Sequence, residues 1–542
     1  MTAGTRTFGI SETFIEPQVL PPPPTRHALL AFLIVLAAIV HLGTAGWSEI
    51  HNGAEGFYAG VARDMLVPAR PVVPSPDAGM LHWLILGSYK TFGVSPAAAR
   101  FPVALAMIAS VTLTFLIGER LAGYWRGFAA GLIHLCCLGS FIWARIVTPA
   151  PLFAALLAAT IFCAVCGYQR QQTRRGWFTA TWGFAALSCM TQGIAGLLYP
   201  ALTFLLLALS FREARLRFLK FFQWEGILLF LALVVPWYLA VQPREPGFFH
   251  PISAFPFRWP GVPISVFLLG HAAWSFPILF LVLPGACVAW RKVFRPAEFE
   301  FRDALPLCWM VVGFVPLLFI PQRQNYDSIL MWGAFALWAA SAWDRMPRAF
   351  RLAGICGAAL VTIAVASYVA LNPSSILPAA ASVGWTSMLL LLGLVGVVAA
   401  VLAAYFNWQD RETLSIAILM LAMVPVGLTA AEAVARSGSH FSLASAARFV
   451  QPRLETSGEV VYEGSAFAAS SLSFYLDKPF FIIGEGTLTE EAAMEKMGAP
   501  HPVYLIIHKD RVAYWQQQLT GKFHLYHQET TCGPHVVVSN QQ

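Results

Sequence analysis

The sequence predicts a polytopic α-helical membrane protein that ends in a small α/β domain. Of its 542 residues, 57% are hydrophobic and only 12% are charged, and the mean hydropathy is +0.63. A water-facing globular surface needs more charge than this. Apolar runs of about 20 residues, long enough to cross a bilayer as helices, recur about thirteen times. Beyond about residue 433, these runs give way to short β-like segments.

The polar N-terminus precedes the first span. Residues 1–26 contain the run Pro21 to Pro24, which predicts an extended cytoplasmic lead without a cleavable signal. The transmembrane part is predicted over 27–432, with a large first outer loop at 47–96. Its apolar runs lie near 27–46, 97–119, 125–143, 150–167, 178–191, 195–211, 221–241, 263–289, 304–320, 326–343, 352–371, 383–405 and 413–432.

The placement of arginine and lysine predicts the orientation in the membrane. The turns that follow every second span hold most of the basic residues, whereas the short outer loops hold few. By the positive-inside rule, the N-terminus is cytoplasmic, and an odd number of spans leaves the C-terminal domain outside. The net charge of +7 is then explained by inner turns that face anionic membrane lipids, so no nucleic-acid partner is expected.

The tail at 433–542 predicts an extracytoplasmic α/β domain. It contains the β-like runs GEVVYEGS, PFFIIGEG, PVYLIIHKD and HVVVSNQQ. Helix-like stretches at Leu443–Leu454, Thr489–Met497 and Asp510–Leu519 separate them. Its composition favours a supporting or acceptor-docking role, because no pattern in it indicates a second catalytic site.

The sequence identifies no cofactor and no metal site. Cys163 and Cys166 form a CxxC, but it lies inside a predicted span without a second pair, so simple packing is favoured. The isolated histidines are interpreted as interfacial, packing or polar helix residues: His41, His134, His250 and His271. Whether a divalent metal assists the chain is left open.

The most informative pattern follows the first span, in HNGAEGFYAGVARDMLVP from His51 to Pro68. This segment resembles the loop Asp-Glu-x-x-Tyr-Ala-x-x-Ala-Arg-x-Met of bacterial membrane glycosyltransferases similar to 4-amino-4-deoxy-L-arabinose lipid A transferase and protein O-mannosyltransferase. Further segments are similar to that family in order and spacing: LHWLILGSYKTFGVSPAAARFP, MTQGIAGLLYP, VVPWYLAVQPREPGFF and FIPQRQNYDSILM. The resemblance implies a GT-C fold in the bacterial inner membrane.

The resemblance also implies a reaction. In that family, an acceptor hydroxyl or phosphate attacks the anomeric carbon of a sugar carried on a polyprenyl phosphate. Such a transfer requires a carboxylate as base and cations for the leaving phosphate. Charges at membrane depth are costly unless they line a wet cavity, so these groups are expected in the outer loops.

The predicted catalytic carboxylates depart from the family pattern. Ala54 stands where the first loop acid is expected, and Glu55 is the neighbouring carboxylate. The family's Glu-Lys-Pro-Pro-Leu box becomes Pro76 to Met80, which keeps a carboxylate in Asp77 and loses the lysine. The second acidic position falls on Ala150. Glu55 and Asp77 are therefore the catalytic candidates, with loop capping and a solvated turn as their alternative roles.

The donor-binding and phosphate-binding candidates are Arg63, Arg145, Gln192, Arg323 and Tyr326. Gln192 replaces the lysine of the family's Thr-Lys-Gly box. Arg145 either binds the donor phosphate or anchors lipid phosphate generally. Arg323 and Tyr326 either close the donor pocket or anchor the chain at the interface, as arginine and tyrosine commonly do.

Three functions fit the sequence. The first is a glycosyltransferase that moves a sugar from a polyprenyl-phosphate donor to a lipid or cell-envelope glycan acceptor, and this is the favoured hypothesis. The second is a scaffold or regulatory subunit that kept the fold and lost catalysis, since the lost acids and lysines would leave an unchanged mechanism little activity. The third, a transporter of a lipid-linked sugar, is disfavoured because polar residues gather in outer loops and no inverted repeat is evident.

Overall fold

The computed structural model describes residues 24–66, 79–169, 174–210, 219–241, 261–283, 301–321, 323–372, 382–436, 438–454, 458–484, 488–519 and 526–540. The helices of the membrane part are α1 (Pro24–His41), α2 (Ala54–Asp64), α3 (Gly79–Phe92), α4 (Pro96–Ala122), α5 (Tyr124–Cys136), α6 (Leu138–Trp143), α7 (Pro149–Gln169), α8 (Arg174–Gln192), α9 (Ala195–Ser210), α10 (Trp224–Val241), α11 (Ile264–Trp274), α12 (Phe301–Phe319), α13 (Ile329–Arg345), α14 (Arg348–Leu371), α15 (Ser382–Trp408) and α16 (Glu412–Arg436).

A helix overlaps each of the predicted apolar runs, so the helical membrane fold is confirmed. Local signals fix several ends; for example, the Ser95 side chain caps α4 by accepting a hydrogen bond from the Ala98 N–H at 3.2 Å. In the described part of the chain, seven helices are long and apolar enough to cross a membrane, and shorter apolar helices lie at 195–210, 224–240 and 264–274. The total number of spans therefore stays a prediction.

Small residues bring α4 and α5 into close contact. A Cβ on Gly118 would lie 2.8 Å from the Gly127 Cα, and one on Gly127 would lie 2.5 Å from the Phe115 carbonyl oxygen. Lipid gives helices no hydrophobic reason to associate, so close backbone packing of this kind is a main source of their attraction. The centre of the bundle is filled by large, fully buried side chains that include Trp309, Trp332 and Trp343.

Ion pairs mark one end of the bundle. Arg26 at the start of α1 binds Glu119 near the end of α4 through two hydrogen bonds of 2.6 and 2.9 Å. Further pairs at this end are Arg126–Asp344, Arg345–Asp303, Arg348–Asp410 and Arg351–Glu412. These arginines belong to the N-terminal lead and to the turns predicted to be cytoplasmic, although the orientation of the termini stays a prediction. The first outer loop and the C-terminal domain both lie at the opposite end, because α1 ends there and α16 leads there.

The C-terminal residues form the predicted α/β structure. Its strands are β1 (Glu459–Glu463), β2 (Phe481–Ile483), β3 (Val503–His508), β4 (Tyr526–Cys532) and β5 (His535–Ser539), in the order β2-β1-β3-β5-β4. β1 is parallel to β2 and β3, and β5 is antiparallel to β3 and β4. Its helices are α17 (Gly438–Phe441), α18 (Ala444–Val450), α19 (Ala466–Tyr475), α20 (Glu490–Lys496) and α21 (Val512–Leu519).

Alternate strand residues face two separate cores. Val460 and Ile506 pack with α18 and α19 on one face, whereas Val461 and Leu505 pack with α20 and α21 on the other. Parallel strands covered on both faces read as short continuous apolar runs, and this explains why β1, β2 and β3 were predictable. Strand β4 was not predicted, because its sequence YHQETTC is polar.

Helix α19 of the C-terminal domain packs directly on α2 of the first outer loop. The Gly53 N–H donates to the Phe467 carbonyl at 2.9 Å and to the Ser470 hydroxyl at 2.6 Å. The Ile50 N–H donates to the Tyr475 hydroxyl at 2.9 Å. The loop and the domain thus share one hydrogen-bonded interface, and the role of the domain stays a prediction.

Arg63 belongs to this interface. Its Nη1 donates to the carbonyl oxygens of Phe474 at 2.6 Å and Leu476 at 2.8 Å, and its Nη2 forms an ion pair with Asp477. The guanidinium of Arg63 is thus occupied by protein partners, and its donor-binding role stays a prediction. The guanidinium holds the end of α19, where the Phe-Tyr-Leu segment of the tail turns into the sheet.

Gly56 is expected to be essential for this interface. A Cβ on Gly56 would lie 2.5 Å from the Ser471 amide nitrogen and 2.6 Å from the Ser470 carbonyl carbon, and backbone atoms cannot move aside easily. We predict that Gly56→Ala lowers the free energy of unfolding of this interface by about 1–3 kcal/mol, measured by thermal unfolding in detergent. The matched control is Gly87→Ala in α3, where a Cβ meets nothing within 4 Å. Equal melting temperatures for the two variants would contradict close packing of α2 on α19.

Candidate functional site

A cavity of about 270 Å³ opens at the end of the bundle that carries the first outer loop. The end of α1 supplies His41, the loop supplies His51, α2 supplies Glu55, and α4 supplies Arg100. The turn between α6 and α7 supplies Arg145. Most of the remaining wall is apolar and includes Ala104, Ile142, Trp143, Ala430 and Val434. The cavity therefore combines a few ionisable groups with a hydrophobic surround, a common composition for ligand sites.

Glu55 is held at the floor of this cavity by Arg100. The guanidinium donates from Nε to Oε1 and from Nη2 to Oε2, both at 2.8 Å, and the carboxylate is 1% exposed. The N–H groups of His51 and Val147 donate to the same carboxylate at 2.9 and 3.3 Å. Burial alone would raise the pKa of Glu55, but the charge and hydrogen bonds of Arg100 outweigh burial and hold that pKa below its usual value.

Arg100 organises the loop around this pair. Its Nη1 donates to the carbonyl oxygens of Ala45 at 2.8 Å and Ser48 at 2.7 Å, and its Nη2 donates to that of Glu49 at 2.7 Å. A buried ion pair is favourable only when its remaining N–H groups and lone pairs are also hydrogen-bonded. Every nitrogen of the Arg100 guanidinium donates a hydrogen bond. The carboxylate of Glu55 is thus occupied as a structural anchor, and its role as the base stays a prediction.

Arg145, unlike Arg100, has few hydrogen-bond partners. One hydrogen bond of 3.2 Å joins its Nη2 to the Val40 carbonyl, and its guanidinium lies 4.3 Å from the centre of the Phe141 ring. Its Nε is buried without a hydrogen-bond partner among the described residues. Burial and the charge of Arg100 lower the pKa of Arg145 to about 9, so the guanidinium remains protonated at neutral pH. The cavity thus contains a buried cation that an anion would stabilise.

Two histidines also line the cavity. Within the described chain, neither ring nitrogen of His41 has a hydrogen-bond partner, and His51 leaves its Nε2 buried and unpartnered. The Nδ1 of His51 lies 3.5 Å from Glu55 Oε2. Burial lowers the pKa of His51, as does Arg100, against the opposing effects of Glu55 and Glu49. His51 is thereby neutral near pH 7, with one nitrogen directed at a carboxylate.

Comparisons with known proteins place this geometry in context. A family model described as dolichyl-phosphate-mannose-protein mannosyltransferase matches residues 77–239. The chain is 28% identical over 323 residues to an undecaprenyl phosphate-alpha-4-amino-4-deoxy-L-arabinose arabinosyl transferase of Proteus mirabilis, which covers 53% of the chain and 54% of the relative. A transferase of the same description from Sodalis glossinidius is 30% identical over 322 residues, or 54% of the chain and 53% of the relative. The chain thus matches about half the length of these relatives.

A solved structure resembles nearly the whole chain. The crystal structure of ArnT from Cupriavidus metallidurans bound to undecaprenyl phosphate superposes with a TM-score of 0.77 and 19% identity, over 95% of this chain and 98% of that one. The chain therefore has the GT-C fold of this ArnT structure. The fold class predicted from the sequence is thereby confirmed.

In this GT-C chain, the position of the missing family acid is apolar. Ala54 is 5% exposed and belongs to a buried cluster with Ile50, Tyr58 and Leu81. It does not line the cavity that contains Arg145. Asp77, the second predicted catalytic carboxylate, lies outside the described residues. The Ala54 position therefore supplies no carboxylate to the described cavity.

The other predicted binding residues lie elsewhere in this GT-C chain. All three guanidinium nitrogens of Arg323 donate to backbone carbonyls, at 2.9 Å to Leu317, 2.9 Å to Val262 and 3.2 Å to Leu318. Tyr326 packs between two apolar clusters, and Gln192 ends α8. Of the predicted site residues that the structure describes, Arg145 and Glu55 line the cavity, and the donor-binding role of Arg323 stays a prediction.

Sequence reasoning missed the roles of Arg100, His41 and His51. Arg100 lies in the family-like Ala-Ala-Arg-x-Pro segment, but nothing local indicates its distant partner Glu55. The spacing of four residues between His51 and Glu55 was the one available signal, since residues so spaced meet at the start of a helix. His41 had been interpreted as a packing residue, and its position in the cavity wall could be found only from the fold.

Proposed function

We propose that this GT-C chain is a glycosyltransferase of the inner membrane that moves a sugar from a polyprenyl-phosphate donor to a lipid or cell-envelope glycan acceptor on the outer face. The observation that carries the proposal is Arg145, a buried guanidinium beside an anion-sized cavity. A phosphate there would fill the unused hydrogen-bonding capacity of Arg145 and take up its charge. The apolar wall would accept the first isoprenoid units of the carrier.

The relatives support this substrate class. The curated relatives carry names that specify undecaprenyl phosphate-linked sugars, and the ArnT crystal structure contains undecaprenyl phosphate. We therefore expect the leaving group to be a polyprenyl phosphate. Arg145 would stabilise its developing negative charge, which usually contributes more to such reactions than any other single interaction.

A catalytically inactive scaffold is the second candidate. It is favoured by the burial of Ala54 in an apolar cluster, because a dismantled site needs no carboxylate at that position. A scaffold would keep the fold and lipid binding but transfer no sugar. No described contact favours a transporter.

The first test measures which part of the carrier is bound. The purified chain in nanodiscs should bind undecaprenyl phosphate at least about tenfold more tightly than undecaprenol, which has the same tail without the phosphate. Inorganic phosphate at millimolar concentration should compete weakly, since it lacks the tail. Equal affinity for undecaprenyl phosphate and undecaprenol would overturn the proposed headgroup site.

The second test measures transfer. Membranes from a deletion strain supply acceptors, and the purified chain is added with a labelled polyprenyl-phosphate sugar. Transfer of label to an envelope lipid or glycan is the expected result. Binding of undecaprenyl phosphate without transfer, across the sugars tried, would overturn the enzyme proposal in favour of the scaffold.

A further inference from the structure

The first outer loop places the imidazole of His51 beside the carboxylate of Glu55. The Nδ1 of His51 lies 3.5 Å from Glu55 Oε2, and the N–H of His51 donates to that same oxygen at 2.9 Å. A carboxylate beside Nδ1 favours the neutral tautomer that carries its proton there. The lone pair of the imidazole is then on Nε2.

His51 combines an unpartnered ring nitrogen with a place in the cavity wall. Nε2 of His51 is buried and has no hydrogen-bond partner among the described residues, and His51 lines the same cavity as Arg145. A buried polar nitrogen without a partner is costly, so its retention calls for a ligand or substrate atom. The oxygens of Glu55 are less available than this nitrogen, because they already accept hydrogen bonds from Arg100 and two backbone N–H groups.

We propose that His51, oriented by Glu55, is the general base of the transfer reaction and that the acceptor is therefore a hydroxyl group. This inference rests on the proposed function. It places the base three residues before the vacant acid position at Ala54, on the side of the loop that reaches the cavity.

The proposed step balances without any further reactant. The acceptor oxygen forms a bond to the anomeric carbon while its proton passes to His51 Nε2. The bond from the anomeric carbon to the phosphate oxygen breaks, and its electron pair leaves with the polyprenyl phosphate beside Arg145. The imidazolium is stabilised by the Glu55 carboxylate until its proton is released to water.

The base identifies the acceptor class. A phosphate acceptor already presents an anionic oxygen at neutral pH and needs no proton removed, whereas a sugar or lipid hydroxyl remains protonated until it attacks. A positioned neutral imidazole can accept the proton of such a hydroxyl. We therefore expect acceptor lipids treated with a phosphatase to keep their acceptor activity; loss of that activity would overturn the hydroxyl assignment.

The groups that face His51 set its pH dependence. Glu55 and Glu49 favour the protonated ring, whereas burial and Arg100 disfavour it, and the net effect is a pKa below the usual value of 6.5. Because the neutral ring is the active form, kcat should rise with pH through this pKa and be constant near neutral pH. His51→Gln should remove this acid limb from the pH profile.

The decisive experiment compares His51→Gln with His440→Gln, which changes an exposed histidine of the same region. The His51 variant should lose about 10²–10⁴-fold in kcat at pH 7.5 and keep its affinity for undecaprenyl phosphate, whereas the control should match the wild type. Added imidazole should restore part of the activity of His51→Ala. It would restore none if His51 had a purely structural role.

The outcomes separate this inference from the proposed function. An active wild type together with a fully active His51→Gln overturns the base assignment and leaves the transferase intact. Loss of donor affinity in parallel with activity, without rescue by imidazole, also overturns it. A wild type that binds undecaprenyl phosphate and transfers nothing overturns the proposed function itself.

Discussion

The Glu55→Gln variant is expected to lose about 3–5 kcal/mol of stability in the first outer loop. The amide would present an N–H group to the Arg100 guanidinium in place of an oxygen, and it would leave a buried cation unpaired. The four N–H donors now directed at the carboxylate cannot all be satisfied by a neutral amide. We expect low yield and a lower melting temperature in detergent, in addition to loss of activity.

The control for this variant is Glu432→Gln, which disrupts the exposed pair between Glu432 and Arg436. An exposed pair of this kind contributes at most about 1 kcal/mol, so the control should melt like the wild type. Replacing Glu55 and Arg100 together by Leu and Met should restore part of the lost stability, because no charge is then left buried alone. A Glu55→Gln protein that folds and melts like the wild type would show that Glu55 is not the anchor of the loop.

The Arg145→Gln variant is expected to reduce sugar transfer by about 10²-fold or more. Removing the guanidinium removes the positive charge beside the leaving phosphate and up to two charge-assisted hydrogen bonds. Arg145→Lys should be intermediate, because an ammonium group supplies a point charge without the fork geometry. Initial rates with a labelled polyprenyl-phosphate sugar, together with the Kd for undecaprenyl phosphate, give the measurement.

Folding of the Arg145 variant should be close to normal. The side chain makes one hydrogen bond of 3.2 Å and one ring contact, so its loss removes little native structure. Arg436→Gln, a change at an exposed position, is the matched control for net charge. Unchanged transfer and unchanged Kd in Arg145→Gln would return Arg145 to the role of a general interface anchor.

The helices could be predicted from the sequence because their causes are local. An apolar run and its end signals lie within one stretch of chain, and the run at 97–119 corresponds to α4 at Pro96–Ala122. The strands of the C-terminal domain were predictable where both faces are buried. Polar β4 gave no such signal, because its pairing with β5 is not visible in its own sequence.

The site was harder to predict because its contacts are distant in the chain. Arg63 has the register of a family loop residue, but its partner Asp477 is 414 residues away. Glu55 occupies a catalytic-looking position, and only the approach of Arg100 shows that its oxygens are already bound. Sequence comparison places a residue in a motif, whereas its available lone pairs and charges depend on the folded neighbours.

The packing of α2 on α19 has a consequence for biosynthesis. Residues 50–63 meet partners at 467–477, so the loop that borders the cavity cannot reach its final conformation until the C-terminal domain has been synthesised and has folded. A ribosome that stops after α16 would leave a bundle in the membrane whose cavity lacks one fixed wall. The cavity is therefore completed only after the C-terminal domain has folded, and a product interrupted before that domain reaches the membrane without a finished site.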